Sequence, residues 1–327
     1  MRAVGATAAI DGTRGSVTDQ RTRASLEPAR GAGGLLRGMI KACRPKQWAK
    51  NVLVFVAPAA AGVIDEPRTL LLTVVGFVAF CMVSSATYLL NDILDVESDR
   101  QHPTKCRRPI ASGVVPVPLA IVMALVLFVA GVGLAASDNL ELAFVVAGYA
   151  VLTTTYSMFL KAIPVLDLVI LSAGFILRLL GGAYAADVPV SDWFLIISLF
   201  GSLFIAAAKR FAEKKELGDR AAELRPTLGE YSYEYLGFLR AVSVAALVMS
   251  YCLWAVERAD GDPAMGLGSA SPWAQLSIVP FLIAVLRYAL LVDQGKGSAP
   301  EDVILHDRLM QLMGVLWAAC VMIGVYA

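Results

Sequence analysis

The chain is written as a series of apolar runs, each long enough, or nearly so, to cross a lipid bilayer. A membrane's hydrocarbon core takes about 20 apolar residues of helix. Nine runs meet or approach that length, at 51–64, 70–90, 117–136, 140–157, 164–186, 191–208, 237–256, 273–292 and 309–326. The first is short and carries Pro58. Turn and breaker residues separate the runs: Asp65-Glu66-Pro67, Ser137-Asp138-Asn139, Asp187-Val188-Pro189 and a Gly/Pro/Ser-rich stretch from Gly261 to Pro272. Composition agrees, since 57% of the 327 residues are hydrophobic and 17% charged, with a mean hydropathy of +0.67. Soluble domains use roughly 45–50% apolar residues. A disordered chain, a basic nucleic-acid-binding protein and a collagen-like fibre are excluded. The sequence predicts an all-α, polytopic membrane protein.

The positions of Lys and Arg orient it. With the N-terminus in the cytoplasm, 25 of the 28 basic residues fall on that side. Arg68 and Arg258 fall opposite, and Arg178 lies inside a span. One span more or fewer would swap the later loops and destroy this asymmetry, so the charges test the count of nine independently of hydropathy. Residues 1–36 hold Gly, Ser, Thr and Arg without the apolar core of a signal peptide. They are expected to form a disordered cytoplasmic tail, with residues 37–327 as one nine-helix domain in the plasma membrane. The five cysteines are scattered, with no C-x-x-C pair, and there are two histidines. Neither a disulfide framework nor a zinc site is expected.

The unusual polar residues cluster on the cytoplasmic side. Asp92, Asp95 and Asp99 are spaced i, i+3, i+7 at the end of the second run, so a continuous helix places them on one face, with Asn91 flanking it. Carboxylates this close repel unless a cation sits between them, and Mg2+ takes oxygen ligands and bridges carboxylates to substrate phosphates. A basic set follows at once: Arg100, His102, Lys105, Arg107 and Arg108. The positive-inside rule accounts for its charge, but not for the carboxylates beside it. Arg and Lys there are suited to phosphate oxygens. Before the first run stand Arg44, Lys46, Trp48, Lys50 and Asn51. Trp48 reads as an interfacial anchor, whereas Asn51 enters an apolar run without such an explanation. Tyr156, Lys161 and Asp167 surround the start of the fifth run. Arg178 lies 11 residues beyond Asp167, about 16 Å deeper on the same face. An arginine in hydrocarbon needs a partner or a polar cavity. Lys209, Arg210 and Glu213 close the sixth run. Tyr231, Tyr233 and Tyr235 read as interfacial anchors, and His306 has no assigned role.

The run NDILDVESDR at 91–100, followed by RRPIASG at 107–113, resembles the first signature of the UbiA-type prenyltransferase superfamily. The resemblance covers the chain from about residue 38 to its end. It implies nine transmembrane helices around a cytoplasm-facing cavity, with acidic motifs at the cytoplasmic ends of the second and sixth. Where a second Asp-rich motif is usual, this chain reads KRFAEKKELGD. Glu213 stands for one acid, and Lys209 or Arg210 replaces the other. With RPKQWAKN, YSMFLK and LDLVILSAGFILR, the set is similar to one branch, the decaprenyl-phosphate phosphoribosyltransferases of mycobacteria and their relatives.

That branch implies a donor, 5-phosphoribosyl 1-diphosphate, and an acceptor, decaprenyl phosphate or a related polyprenyl phosphate, with a product that feeds cell-wall arabinan synthesis. It implies Mg2+ on Asp92, Asp95 and Asp99. Lys46, Lys50, Asn51, Asn91, Arg100, His102, Lys105, Arg108, Tyr156, Lys161, Asp167, Arg178, Lys209, Arg210 and Glu213 are the candidate substrate residues. A lipid phosphate is already an anion at pH 7, so no general base is required. Partners expected are the two substrates and the bilayer, with no nucleic acid, and a homo-oligomer is plausible. The alternative within the superfamily is prenyl transfer from a prenyl diphosphate to a quinone or haem-type acceptor. A cation-coupled transporter fits poorly, because such proteins place their ionisable groups near the midplane.

Overall fold

The computed structural model describes residues 32–218, 226–260, 272–295, 303 and 306–326, and every element among them is helical. Amphipathic α1 (Ala32–Ala42) leads into a 3-10 helix (Pro45–Phe55) and short α2 (Val56–Ala60). Then come α3 (Pro67–Leu94), short α4 (Val96–Gln101), α5 (Val117–Ala136), α6 (Leu140–Met158), α7 (Leu166–Ala185) and α8 (Asp192–Leu217). Short α9 (Pro226–Glu230) precedes α10 (Tyr233–Asp260), α11 (Pro272–Leu276), α12 (Ile278–Asp293) and α13 (Arg308–Tyr326). The breakers seen in the sequence act as caps. Pro67 opens α3, Asn139 accepts from the Leu142 amide at 2.6 Å, and Ser191 accepts from that of Phe194 at 3.1 Å.

Among the described residues, eight helices are long and apolar enough to span a membrane, α11 and α12 counting together. The first of the nine expected spans, 51–64, is not such a helix. Its place is taken by the 3-10 segment and α2, which run antiparallel to α3. Trp48 Nε1 donates to Ser85 Oγ (3.0 Å), and Asn51 Nδ2 donates to Ser84 Oγ (3.3 Å). Farther along, Val54 lies against Gly76, and Gly62 against Val325 near the end of α13. At about 2.0 Å per 3-10 residue and 1.5 Å per α residue, this segment covers ~30 Å, the thickness of a hydrocarbon core. Pro58 and the shortness of the run are why it is broken rather than a regular helix.

The broken segment sits tightly on α7. A Cβ added at Gly182 would lie 1.8 Å from the Val54 carbonyl oxygen. Backbone cannot yield as a side-chain tip does, so Gly182→Ala is expected to cost at least about 1–3 kcal/mol of stability. A thermal melt in detergent tests this, and an unchanged midpoint would refute so close an approach.

One buried cluster joins α3, α5, α6 and the far end of α7 through Phe80, Val83, Ala135, Leu142, Val146 and Ala185. A second joins the near end of α7 to α8, α10 and α12 through Leu168, Phe204, Leu236 and Leu291. Residues such as Leu125, Phe144 and Val315 point outward at 62–76% exposure, as a lipid-facing surface requires. Residues 32–36, expected in the disordered tail, already belong to α1, and residues 1–31 lie outside the described residues. Helix α1 packs Leu35, Met39 and Ala42 under the end of α3 and leaves Leu36 and Ile40 exposed.

Candidate active site

The end of α3 does not continue smoothly. The helix is interrupted at Asp95 (φ −92°, ψ 5°) before α4 resumes. Asp92 and Asp99 are buried, and arginines join them. Asp92 Oδ1 accepts from Arg44 Nη2 (2.5 Å) and Arg108 Nη1 (3.0 Å), while Arg108 Nη1 also donates to Asp99 Oδ2 (2.6 Å). Arg44 reaches in from a left-handed turn (φ 53°), and its guanidinium lies over the Tyr88 ring at 4.8 Å. Asp95 faces elsewhere, into a cleft of about 240 Å³ shared with Asn91, Leu94, Ser157, Phe159 and Lys161. Asp92, Asp95 and Asp99 therefore do not gather at one point, and no group of three His, Cys, Asp or Glu among the described residues is placed to hold a metal.

The oxygen nearest that role is on Asn91. Its Oδ1 is buried without a hydrogen-bond partner, and the residue lines both Asp95's cleft and a larger cavity. A buried acceptor left unpaired is costly. Asn91 Oδ1 and the Asp95 carboxylate form a hard, oxygen-only donor set, which fits a cation that keeps several waters, such as Mg2+.

The larger cavity, about 310 Å³, opens between α3, α6, α7 and α8. Lys50, Arg178 and Lys209 supply positive charge, Thr87, Tyr88, Thr153, Tyr156 and Ser157 supply hydroxyls, and Ile170, Leu171 and Phe175 supply apolar wall. No Asp or Glu lines it. Arg178 is deep and buried, and its three bonds go to neutral acceptors: Asn51 Oδ1 (2.8 Å), the Gly174 carbonyl (2.6 Å) and Tyr149 OH (2.8 Å). Asn51, fully buried, does not line the cavity; it holds Arg178 in place.

Arg210 does not reach the cavity. It is 1% exposed, and its guanidinium is taken up by Asp167 (2.8 Å), Glu213 (2.7 Å) and Tyr156 OH (3.1 Å). The expectation that Arg210 binds phosphate is thereby corrected, because three acceptors already occupy it. Asp167 and Glu213 are the counter-ions rather than ligands. Tyr231, expected as an interfacial anchor, is 2% exposed. Its hydroxyl donates to Asp167 and accepts from the Val165 amide (2.7 Å). Burial, then the bond to Asp167, pushes that hydroxyl well above the ordinary tyrosine range.

The remaining candidates sort by position. Lys161 is in the smaller cleft. Lys46 and Lys105 are exposed. Arg100 pairs with Glu97 (2.8 Å), and His102 Nδ1 accepts from the Thr104 amide (3.2 Å). None of these four lines either cavity. Residues missed from the sequence are Arg44, Tyr88, Tyr149 and Thr153. Arg44 lay among the basic residues before the first run, but nothing in its spacing points to Asp92, 48 positions away.

Comparison with known proteins agrees with the helical fold. Residues 52–322 match the UbiA prenyltransferase family. A protein of Corynebacterium glutamicum named decaprenyl-phosphate phosphoribosyltransferase is 45% identical over 89% of this chain and 88% of its own length. Proteins of the same name from Mycolicibacterium smegmatis and Mycobacterium tuberculosis are 41% and 42% identical, over 89% and 88% of this chain and 93% and 94% of theirs. Among solved structures, a UbiA homolog from Archaeoglobus fulgidus bound to DMAPP and Mg2+ superposes with a TM-score of 0.61 at 18% identity, over 88% of this chain and 98% of that one. At that identity the likeness speaks for the fold alone. A family match across most of the chain and relatives above 40% identity along nearly its whole length leave one conclusion: this chain belongs to the UbiA prenyltransferase family.

Proposed function

We propose that the chain transfers the 5-phosphoribosyl group of 5-phosphoribosyl 1-diphosphate to decaprenyl phosphate, releasing pyrophosphate. The observation that carries this reading is the cavity lined by Lys50, Arg178 and Lys209 and by no carboxylate, with Asn91 on its wall and Asp95 in the adjoining cleft that Asn91 also lines. The names of the relatives support it, as does the reaction's own chemistry. An oxygen of the lipid phosphate bonds to ribose C1 while the bond from C1 to the diphosphate oxygen breaks, and the electron pair leaves with pyrophosphate. Negative charge grows on the leaving group, so the chain needs fixed positive charge around it and a low-dielectric wall that strengthens the attraction. Lys209 and Lys50 supply the charge. Ile170, Leu171 and Phe175 supply the wall. The acceptor is already an anion, so orientation rather than proton removal is the task left to the protein.

Asn91 and Asp95 would hold Mg2+, which when bound neutralises the diphosphate. Asp92 and Asp99, locked by Arg44 and Arg108, keep the end of α3 rigid behind them. The asymmetry of Lys and Arg supports a cytoplasmic site in the plasma membrane, where a soluble sugar diphosphate is available. The product is an activated lipid-linked pentose for arabinan synthesis.

The test is a transfer assay with purified protein, Mg2+, decaprenyl phosphate and labelled phosphoribosyl diphosphate. Label is expected in the organic phase, and chelation with EDTA is expected to remove it. No lipid-borne label from folded protein and intact substrates would refute the reading. Label from a prenyl diphosphate instead would reassign the donor.

A further inference from the structure

We infer that Arg178 determines donor specificity by taking the 5-phosphate of the sugar at the deep end of the cavity, opposite the diphosphate. The inference rests on phosphoribosyl transfer being the reaction. Depth comes first. On α7 the cavity wall runs from Ile170 to Arg178, and on α6 from Ser157 to Tyr149. Each stretch spans eight residue steps, so about 12 Å along the helix axes separates the levels of Ile170 and Ser157 from those of Arg178 and Tyr149. Among the residues lining the cavity, Lys209 lies toward the rim and Arg178 at the floor.

Charge comes second. A cation at this depth is expensive unless an anion meets it. Arg210, of similar burial, has Asp167 and Glu213. Among the described residues Arg178 has no carboxylate, and its three bonds leave two of a guanidinium's five N–H groups available. Those bonds and the Tyr149 ring at 4.6 Å fix the plane of the guanidinium. A fixed, planar cation with N–H groups remaining on both terminal nitrogens is preorganised for phosphate oxygens.

Selectivity follows from what fills the floor. A phosphoribosyl diphosphate has an anionic group at each end. A prenyl diphosphate has one at one end and hydrocarbon at the other. Hydrocarbon laid against Arg178 would bury the cation without compensation, so the floor rejects it.

The two ends of the donor can be probed separately with ribose 5-phosphate and with pyrophosphate, each with Mg2+, as competitors of transfer by the full-length protein. In Arg178→Gln, the inhibition constant of ribose 5-phosphate is expected to rise about 10- to 100-fold, as for the loss of a charge-assisted hydrogen bond. That of pyrophosphate should stay within about threefold of wild type, and the donor KM should rise with the first and not the second. Arg178→Lys should fall between. Equal losses for both probes, or an unchanged constant for ribose 5-phosphate, would overturn the assignment and leave Arg178 a brace between Asn51 and Tyr149. Should Arg178→Gln fail to fold, Tyr149→Phe, which keeps the cation and drops one of its holds, must show the same selective loss at smaller size. A wild-type protein that makes no phosphoribosyl lipid would instead refute the reaction itself, a result separable from either outcome.

Discussion

Asp95→Asn is expected to lower kcat by about 10²- to 10³-fold without changing the thermal midpoint, the scale of losing one preorganised electrostatic contact in a transition state. The two effects separate because of where Asp95 sits. It is only half-buried at the interruption between α3 and α4, and it faces the cleft it shares with Asn91 and Lys161. Its removal leaves no buried cation without a partner. Asp92 is the contrasting case, at 3% side-chain exposure under two arginines. Asp92→Asn should lose stability and activity together, because Arg44 loses its carboxylate and Arg108 keeps only Asp99. Rates at saturating Mg2+ and donor, beside melting curves in the same detergent, distinguish the two. A wild-type rate in Asp95→Asn would remove the metal from that cleft.

The difference between these aspartates marks how far the sequence could be read. Hydropathy and charge located the long spans, because a membrane punishes polar residues so heavily that apolar runs map directly onto helices. Asp92, Asp95 and Asp99 stood out in the sequence as a carboxylate run at the end of an apolar stretch. Their division of labour did not. The spacing i, i+3, i+7 assumes an unbroken helix, and the helix is interrupted at Asp95. The partners that decide which carboxylate stays available come from Arg44 and Arg108, brought in by a left-handed turn and a loop. Arg178 was legible as an anomaly, a cation in hydrocarbon. That its holders are Asn51 and Tyr149, 127 and 29 positions away, follows only from packing. The first expected span is broken rather than one regular helix because its run is short and contains Pro58, yet the chain still passes along α3 there.

Arg210→Met is expected to destabilise the protein by about 3–5 kcal/mol, the cost of removing one member of a buried ion cluster. The guanidinium separates Asp167, fully buried on α7, from Glu213 one turn along α8. Methionine fills comparable space but leaves the buried carboxylate of Asp167 with Tyr231 as its one donor among the described residues, while Glu213, partly exposed, keeps Lys209 at 3.9 Å. At about 2.1 cal/mol/K of unfolding entropy per residue, a chain of this size shifts about 1.5 °C per kcal/mol, so the midpoint should fall by roughly 4–7 °C. The sequence-level expectation, in which Arg210 holds a phosphate, makes the opposite forecast of an intact fold with weakened donor binding. A rescue experiment decides between them. Adding Asp167→Asn and Glu213→Gln to Arg210→Met removes the carboxylates that faced the guanidinium, and most of the lost stability should return, since neutral replacements of buried ion clusters are often tolerated. If the triple variant regains its midpoint and its donor KM stays near wild type, Arg210 is part of the scaffold that ties α7 to α8 beside the cavity's rim. If Arg210→Met melts like wild type and only the donor KM rises, the cluster is not the reason the arginine is there.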